Sequence, residues 1–238
     1  MSESRLLASL PDGERARLDP HLQTVNLGSN QGLLEAGEPI ECVWFPHDCV
    51  TSTVVDTPEG ATIEVGLMGM EGLVGLSLLL GRPQSNTTVI VQIPGSASVM
   101  RAADFQAHVL KPRGILYQRL LQYADAFMAM VAQTAACNSL HNVDERLARW
   151  ILMTHDRVGR NEIPLTQEFL AYMLGVRRAS VSVAAGGLQQ MGLIKYSRGQ
   201  VTVIDRNGLE ANSCACYGIV NRITDELYTG FDQQRAAS

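Results

Sequence analysis

The sequence predicts an α+β chain made of an antiparallel β-roll, one long helix and a winged helix-turn-helix. Between Val25 and about Met100, short runs rich in Val, Ile and Thr alternate with Gly, Pro and Asn turns, the pattern of a small antiparallel roll. Residues 113–137 contain no proline and many good helix formers. Residues 163–190 hold two helical patterns around Gly175, and β-rich runs follow them.

Taken in order, residues 3–19 read as one or two short amphipathic helices carrying Leu6, Leu7, Leu10 and Leu18. The strand candidates are Cys42 to Phe45, Val50 to Val55, Thr62 to Leu67, Thr87 to Ile93 and Ala97 to Met100. Gly66, Gly69, Gly72, Gly75 and Gly81 crowd one stretch together with Leu73, Leu76 and Leu79. Such a stretch either wraps a small ligand with backbone N–H groups or turns tightly against the roll.

Asp104-Phe105 opens a helical region that Pro112 interrupts. In the long helix beyond it, Leu116, Leu120, Phe127 and Val131 form an apolar stripe, read as a dimer seam with a core helix as the alternative. Asn138 to Asn142 breaks that helix, and Val143 to His155 forms the next, with Leu147, Trp150, Ile151 and Met153 inward. The expected divisions are 1–112 for the roll, 113–138 for the dimerisation helix and 139–238 for the winged module with a C-terminal extension.

The winged module carries the functional reading. Thr166-Gln167-Glu168 starts one helix, Gly175 ends it, and a second helix begins near Arg177 with Val181, Ala184, Ala185 and Leu188 buried. That second helix is sized for a DNA major groove. Ile194 to Tyr196 and Gln200 to Ile204 form a hairpin with Ser197-Arg198-Gly199 at its tip. Arg177, Arg178 and Ser180 are the candidates for base readout. Thr166, Gln167, Lys195 and Arg198 are the candidates for phosphate contact.

The overall charge of −5 argues weakly against a nucleic-acid partner, but its distribution reverses that. Residues 1–110 hold 5 Lys/Arg against 13 Asp/Glu, a net of −8, whereas residues 166–206 hold 5 against 2, a net of +3. No apolar run approaches the roughly 20 residues that span a bilayer, and the N-terminus lacks a signal-peptide pattern, so no membrane is expected and the expected compartment is the cytoplasm. Five cysteines give no disulfide framework. Cys42 and Cys49 read as ordinary thiols or a redox pair across a turn. Cys214-x-Cys216 is closer than the usual metal-ligand pair and has no clear partners in sequence, so no metal or other cofactor is expected there. The five histidines lack HxH and HExxH spacing, and no GxSxG elbow occurs, so no enzymatic activity is expected.

The order of roll, long helix and winged module resembles the Crp/Fnr family of bacterial transcription regulators along essentially the whole chain. The most specific stretch runs from Leu165-Thr166-Gln167-Glu168-Phe169-Leu170 through Gly175-Val176-Arg177-Arg178-Ala179-Ser180-Val181, with Gly192-Leu193-Ile194 beyond. The resemblance implies a cyclic-nucleotide-binding-like roll, a homodimer on a near-palindromic operator, contact with RNA polymerase, and Arg178 at a base-reading position.

Departures from the family pattern are equally specific. Leu76 occupies the position of the ribose-binding glutamate, and the position of the phosphate-binding arginine, near Asn86, holds no basic group. Arg82 lies too early to substitute simply. Cyclic-nucleotide control is therefore not expected, and a small-molecule effector of other chemistry in a pocket of Leu73, Leu76 and Leu79 is left open. Ala179 and Val183 replace the acidic and second basic residues of the reading helix. No cysteine precedes Cys42, so the ligands of an N-terminal iron–sulfur cluster are not evident. The rival reading is a small-molecule-binding or protein-interaction module that does not read DNA.

Overall fold

Leu6 and Leu7 on α1 (Arg5–Ala8) and Leu18 on α2 (Asp12–Leu18) are buried, with Leu10 between the two helices. The computed structural model describes residues 3–58, 60 and 62–236. They divide into two compact units. The first comprises Met1–Thr53, Met68–Ala129 and Arg222–Ser238, and the second Val54–Leu67 and Met130–Asn221.

The roll consists of two sheets. β1 (Gln23–Leu27), β7 (Gly95–Arg101) and β3 (Cys42–Pro46) form one in the order β1-β7-β3, with Val25 opposite Ala97 and Trp44 opposite Val99. β2 (Gly32–Leu34), β6 (Thr88–Ile93), β4 (Val50–Asp56) and β5 (Thr62–Met68) form the other, in the order β2-β6-β4-β5. The sequence pattern marks all of these but β1 and β2. Gly28 follows β1 directly and Gly32 opens β2, whose three residues are too few to show alternation.

The short helix α3 (Leu76–Leu79) follows Gly75, whose φ of 107° only glycine adopts without strain. A Cβ there would also stand 2.8 Å from Val43. α4 (Ala102–Phe105) continues as one π-helical turn, Gln106–Leu110.

α5 (Ile115–Leu140) is the long helix, and its first half packs into the core of the first unit. Leu116, Leu120 and Tyr123 are buried there with Leu6, Phe45, Leu73, Met100, Phe105 and Phe231. The predicted seam needs correction at this point. Leu116 and Leu120 are 1 % and 0 % exposed in the chain's own core, so they have no surface to offer a second copy. Phe127 is half-buried against the same core, and Val131 is half-buried as well. The open stripe of α5 is Leu121, Asp125, Met128, Ala132 and Ala135, spaced 4, 3, 4 and 3.

In the second unit, α6 (Val143–Val158) is the central helix. Asn142 and Glu145 close a reciprocal capping box at its start, and Gly159 ends it in the left-handed conformation. Residues 146–154 are all buried. The Trp150 indole donates to Glu64 Oε1 at 2.9 Å, which partners a carboxylate that is 6 % exposed. A third sheet has the order β8-β10-β9, from β8 (Glu162–Pro164), β10 (Gln200–Val203) and β9 (Ile194–Ser197). α7 (Gln167–Leu174) and α8 (Arg178–Gln190) lie between β8 and β9 in the chain. α9 (Arg206–Ala211) and α10 (Cys216–Ala236) follow.

Gly175 joins α7 to α8 with φ of 62°, and its flanking bonds, Gly175 N to Tyr172 O and Val176 N to Ala171 O, make a Schellman turn. A Cβ added there would meet Ile63 Cγ1 at 3.3 Å. Gly175→Ala is expected to cost about 1–2 kcal/mol, the left-handed penalty, read as a lower urea midpoint at unchanged slope. Unchanged stability would mean that the turn relaxes into another conformation.

Candidate nucleic-acid interface

The second helix of the pair, α8, starts at a sharp corner that its own sequence specifies. Arg177 is the extended N-cap residue of α8, and Arg178 is its first helical residue. Both side chains are exposed. Val181, Ala184, Ala185 and Leu188 hold the opposite face in the core. At about 100° per residue, the open face centres on Ala179, Ser182, Val183 and Gly186, with Arg178 on one flank. Ser180 lies about 200° from Arg178, half-buried on the other flank.

Ser182 is therefore the hydroxyl beside Arg178, a residue absent from the sequence-based candidates. Its Oγ donates to Gln167 Oε1 at 2.7 Å and approaches the Arg178 carbonyl at 3.2 Å. Val183 is 76 % exposed, an apolar side chain with no core to enter. Helical spacing from Arg178 is the sequence signal that points to both.

Thr166 caps α7 by accepting the Phe169 N–H at 3.1 Å, which leaves its own O–H free to donate outward. Gln167 is the first residue of α7, with its carbonyl held by Ser182 and its amide N–H groups available.

The wing is tied to that start. Leu165 N donates to Gly199 O at 2.8 Å, and Tyr196 Oη donates to Leu165 O at 3.0 Å. Arg198 and Gly199 have φ of 50° and 77°, the two positive values of a type I′ hairpin turn. That turn presents the exposed Arg198 at the tip, and exposed Lys195 lies opposite Thr202 on β9. Burial pushes the Tyr196 phenol up while the Arg178 charge pulls it down, which places α8's first residue within electrostatic reach of the wing.

The structure thus brings Thr166, Gln167, Arg178, Arg198 and Ser182 into one neighbourhood. Arg206, counted in the basic segment, behaves differently. It pairs with Asp156 at 2.8 Å and donates to Tyr217 Oη at 2.7 Å, so its charge is already compensated.

The family model of the Crp-like helix-turn-helix domain matches residues 145–212, which contain Thr166, Gln167, Arg177, Arg178, Ser182, Lys195 and Arg198. The C-terminal module is a Crp-like helix-turn-helix domain. Solved structures extend the likeness to the fold of the rest. FixK2 from Bradyrhizobium japonicum matches with a TM-score of 0.68 at 14 % identity, over 82 % of this chain and 98 % of that one. A CRP-family transcriptional regulator from Thermus thermophilus, TTHB099, matches with 0.66 at 19 %, over 79 % and 96 %. The c-di-GMP-responsive global regulator CLP of Xanthomonas campestris matches with 0.63 at 15 %, over 81 % and 99 %. A comparison with curated proteins finds no match. A Crp-like helix-turn-helix domain thus occupies residues 145–212, and the chain shares the fold of these regulators along most of its length. No helix among the described residues is long and apolar enough to cross a membrane.

Within the roll, a cavity of about 50 Å³ is lined by Leu34, Thr53, Leu73, Leu76, Ser85 and Phe127 among others. Ligand sites ordinarily measure about 300–1,000 Å³. Leu73 and Leu76 line it, whereas Leu79 is buried in the core of the first unit. Arg82 is exposed and outside the lining. Cys49 is buried beneath the roll's first sheet, and desolvation pushes its thiol up to about 12, unsuited to a reactive thiolate. Burial raises the Cys42 thiol as well.

Proposed function

We propose that a homodimer of this chain reads a near-palindromic DNA operator through the exposed face of α8. The observation that carries this is the convergence of Arg178, Ser182 and Val183 with the capped start of α7 and the Arg198 wing tip, all within one Crp-like module. Arg178 donates a parallel pair of hydrogen bonds to guanine O6 and N7, and Val183 contacts a thymine methyl. Arg177 and Ser182 position the helix, and Ser180, half-buried, contributes less than its place in the sequence suggests. Thr166, Gln167, Lys195 and Arg198 hold phosphates.

Dimerisation follows from the 4-3 spacing of Leu121, Asp125, Met128, Ala132 and Ala135. Met128 is 58 % exposed and Leu121 38 %, and a second α5 would cover both. Two reading helices then stand about 34 Å apart, one per half-site. RNA polymerase is the partner such a regulator acts on, and the cytoplasm is its place of action.

Selection from a random DNA pool tests the reading. The expected product is a sequence with two inverted half-sites; recovery of unrelated sequences would overturn it.

Cyclic AMP and cyclic GMP are not the signal. A buried cyclic phosphate needs a cation or several oriented donors, and the cavity offers hydroxyls, apolar groups and a volume of about 50 Å³. Calorimetry is expected to show no saturable binding below about 100 µM, roughly −5.5 kcal/mol. Saturable binding that raises operator affinity would contradict it. An effector of other chemistry that enters this cavity has to open it by moving Leu76 or Phe127.

A further inference from the structure

Four side chains that the DNA-reading surface does not use converge in the second unit. Cys137 and His141 lie one helical turn apart at the end of α5, where His141 N still donates to Cys137 O at 3.1 Å. Residues spaced i and i+4 point to the same side of a helix. Cys214 and Cys216 flank the start of α10, and a turn closed by Tyr217 N to Cys214 O at 3.1 Å lets both face one way despite their i, i+2 spacing.

The Sγ atoms of Cys137 and Cys214 are 3.4 Å apart, and Cys216 Sγ is 3.6 Å from His141 Nδ1. All four donor atoms lie within 4.8 Å of one another. Bonds of about 2.3 Å to sulfur and 2.0–2.1 Å to nitrogen give a tetrahedral zinc site S–N edges of roughly 3.5–3.6 Å and S–S edges of roughly 3.8 Å. The Cys216–His141 edge already has that length, and the Cys137–Cys214 edge, at 3.4 Å, opens slightly on binding. The thiolates of an iron–sulfur cluster stand outside a multi-iron core and must be farther apart than a single ion's ligands.

The surroundings favour an ion over three packed thiols. The cysteines are 0 %, 4 % and 2 % exposed, and His141 is half-buried. Gln133 Nε2 donates to Cys216 Sγ at 3.0 Å, the outer hydrogen bond that commonly steadies a metal thiolate. On α6, Arg149 is 4 % exposed, and its Nε and Nη1 have no hydrogen-bond partner among the described residues. The Nε of buried Arg146 is likewise without one.

The Arg149 charge reaches Cys137 and Cys214, and that of Arg146 is felt with Cys137. Buried guanidinium groups beside neutral thiols are uncompensated. Beside three thiolates and a divalent cation, net −1, one of their two positive charges is offset. A disulfide between Cys137 and Cys214 would account for neither Cys216, nor His141, nor the arginines.

We propose that Cys137, His141, Cys214 and Cys216 bind one structural zinc ion. Binding releases the three thiol protons to solvent and leaves no open coordination position, so the ion is not catalytic. Its ligands bracket the winged helix-turn-helix, because residues 142–213 run between His141 and Cys214. The ion therefore closes the DNA-reading module at its two chain ends, removing conformational freedom from the unfolded segment. The spacing of the pairs hides the site in sequence.

Elemental analysis of the full-length chain, purified reduced and without chelator, tests this. One zinc per chain is expected, with cobalt substitution giving the intense visible bands of a tetrahedral thiolate site. Cys216→Ser and His141→Ala should lose the metal, while Cys42→Ser and Cys49→Ser should keep it. If the first two fail to fold, the cobalt titration of the natural chain decides. Iron with sulfide, a Cys137–Cys214 disulfide in the fresh protein, failure of the reduced chain to take up added zinc or cobalt, or zinc retained by folded Cys216→Ser and His141→Ala would each overturn the proposal.

Discussion

Arg178→Ala is expected to abolish most of the preference for the operator while leaving binding to random DNA nearly intact. A bidentate arginine–guanine contact discriminates by about 1–3 kcal/mol. It acts once per half-site, so the dimer loses about 2–6 kcal/mol if the two sites add, roughly 30-fold to 10⁴-fold in affinity. The side chain is exposed on the first turn of α8 and takes no part in the core, so the fold should be unaffected. Lys195→Ala gives the contrasting result. A lysine on a phosphate carries no sequence information, so operator and random duplexes weaken together. The salt slope falls by about 1 for each phosphate no longer neutralised, two per dimer. Equal losses on both duplexes for Arg178→Ala would remove its base-reading role.

The second large effect concerns α5. Met128→Glu is expected to give a folded monomer, because a dimer would bury a carboxylate without a partner at about 3–5 kcal/mol, roughly 10²-fold to 10⁴-fold in the dissociation constant. Leu120→Glu places the same charge in the subunit's own core, where the site is 0 % exposed, and is expected to unfold the first unit instead. Light scattering with circular dichroism separates the two. A folded monomer from Leu120→Glu, with Met128→Glu still dimeric, would return the seam to the stripe of Leu116, Leu120, Phe127 and Val131.

That stripe shows where the sequence is legible and where it is not. The winged module is readable because its signals are local: Gly175 between two apolar periods, and Arg198-Gly199 between two β-rich runs. Periodicity also locates α5, but a helix that is apolar on several sides does not say which side meets its own core. The 100° separation between Leu120 and Leu121 is decided by α1, α10 and the roll, all distant in sequence. β8 escapes notice because three residues containing Pro164 show no alternation. α10 reads only as an undefined extension, with Gly218 and Gly230 interrupting its pattern. The Cys/His cluster is illegible for the same physical reason as the core side of α5, since its two halves are joined only by folding.

The most direct measurement is fluorescence anisotropy of the natural chain on a selected operator and on a scrambled duplex of equal length, at several salt concentrations. Specific regulators typically prefer their sites by about 10³-fold or more at physiological salt, with affinity falling steeply as salt rises. That preference, at two chains per operator, is the expected result. Equal affinity for both duplexes at every salt concentration would contradict operator reading by α8 and leave the module a surface for protein contact.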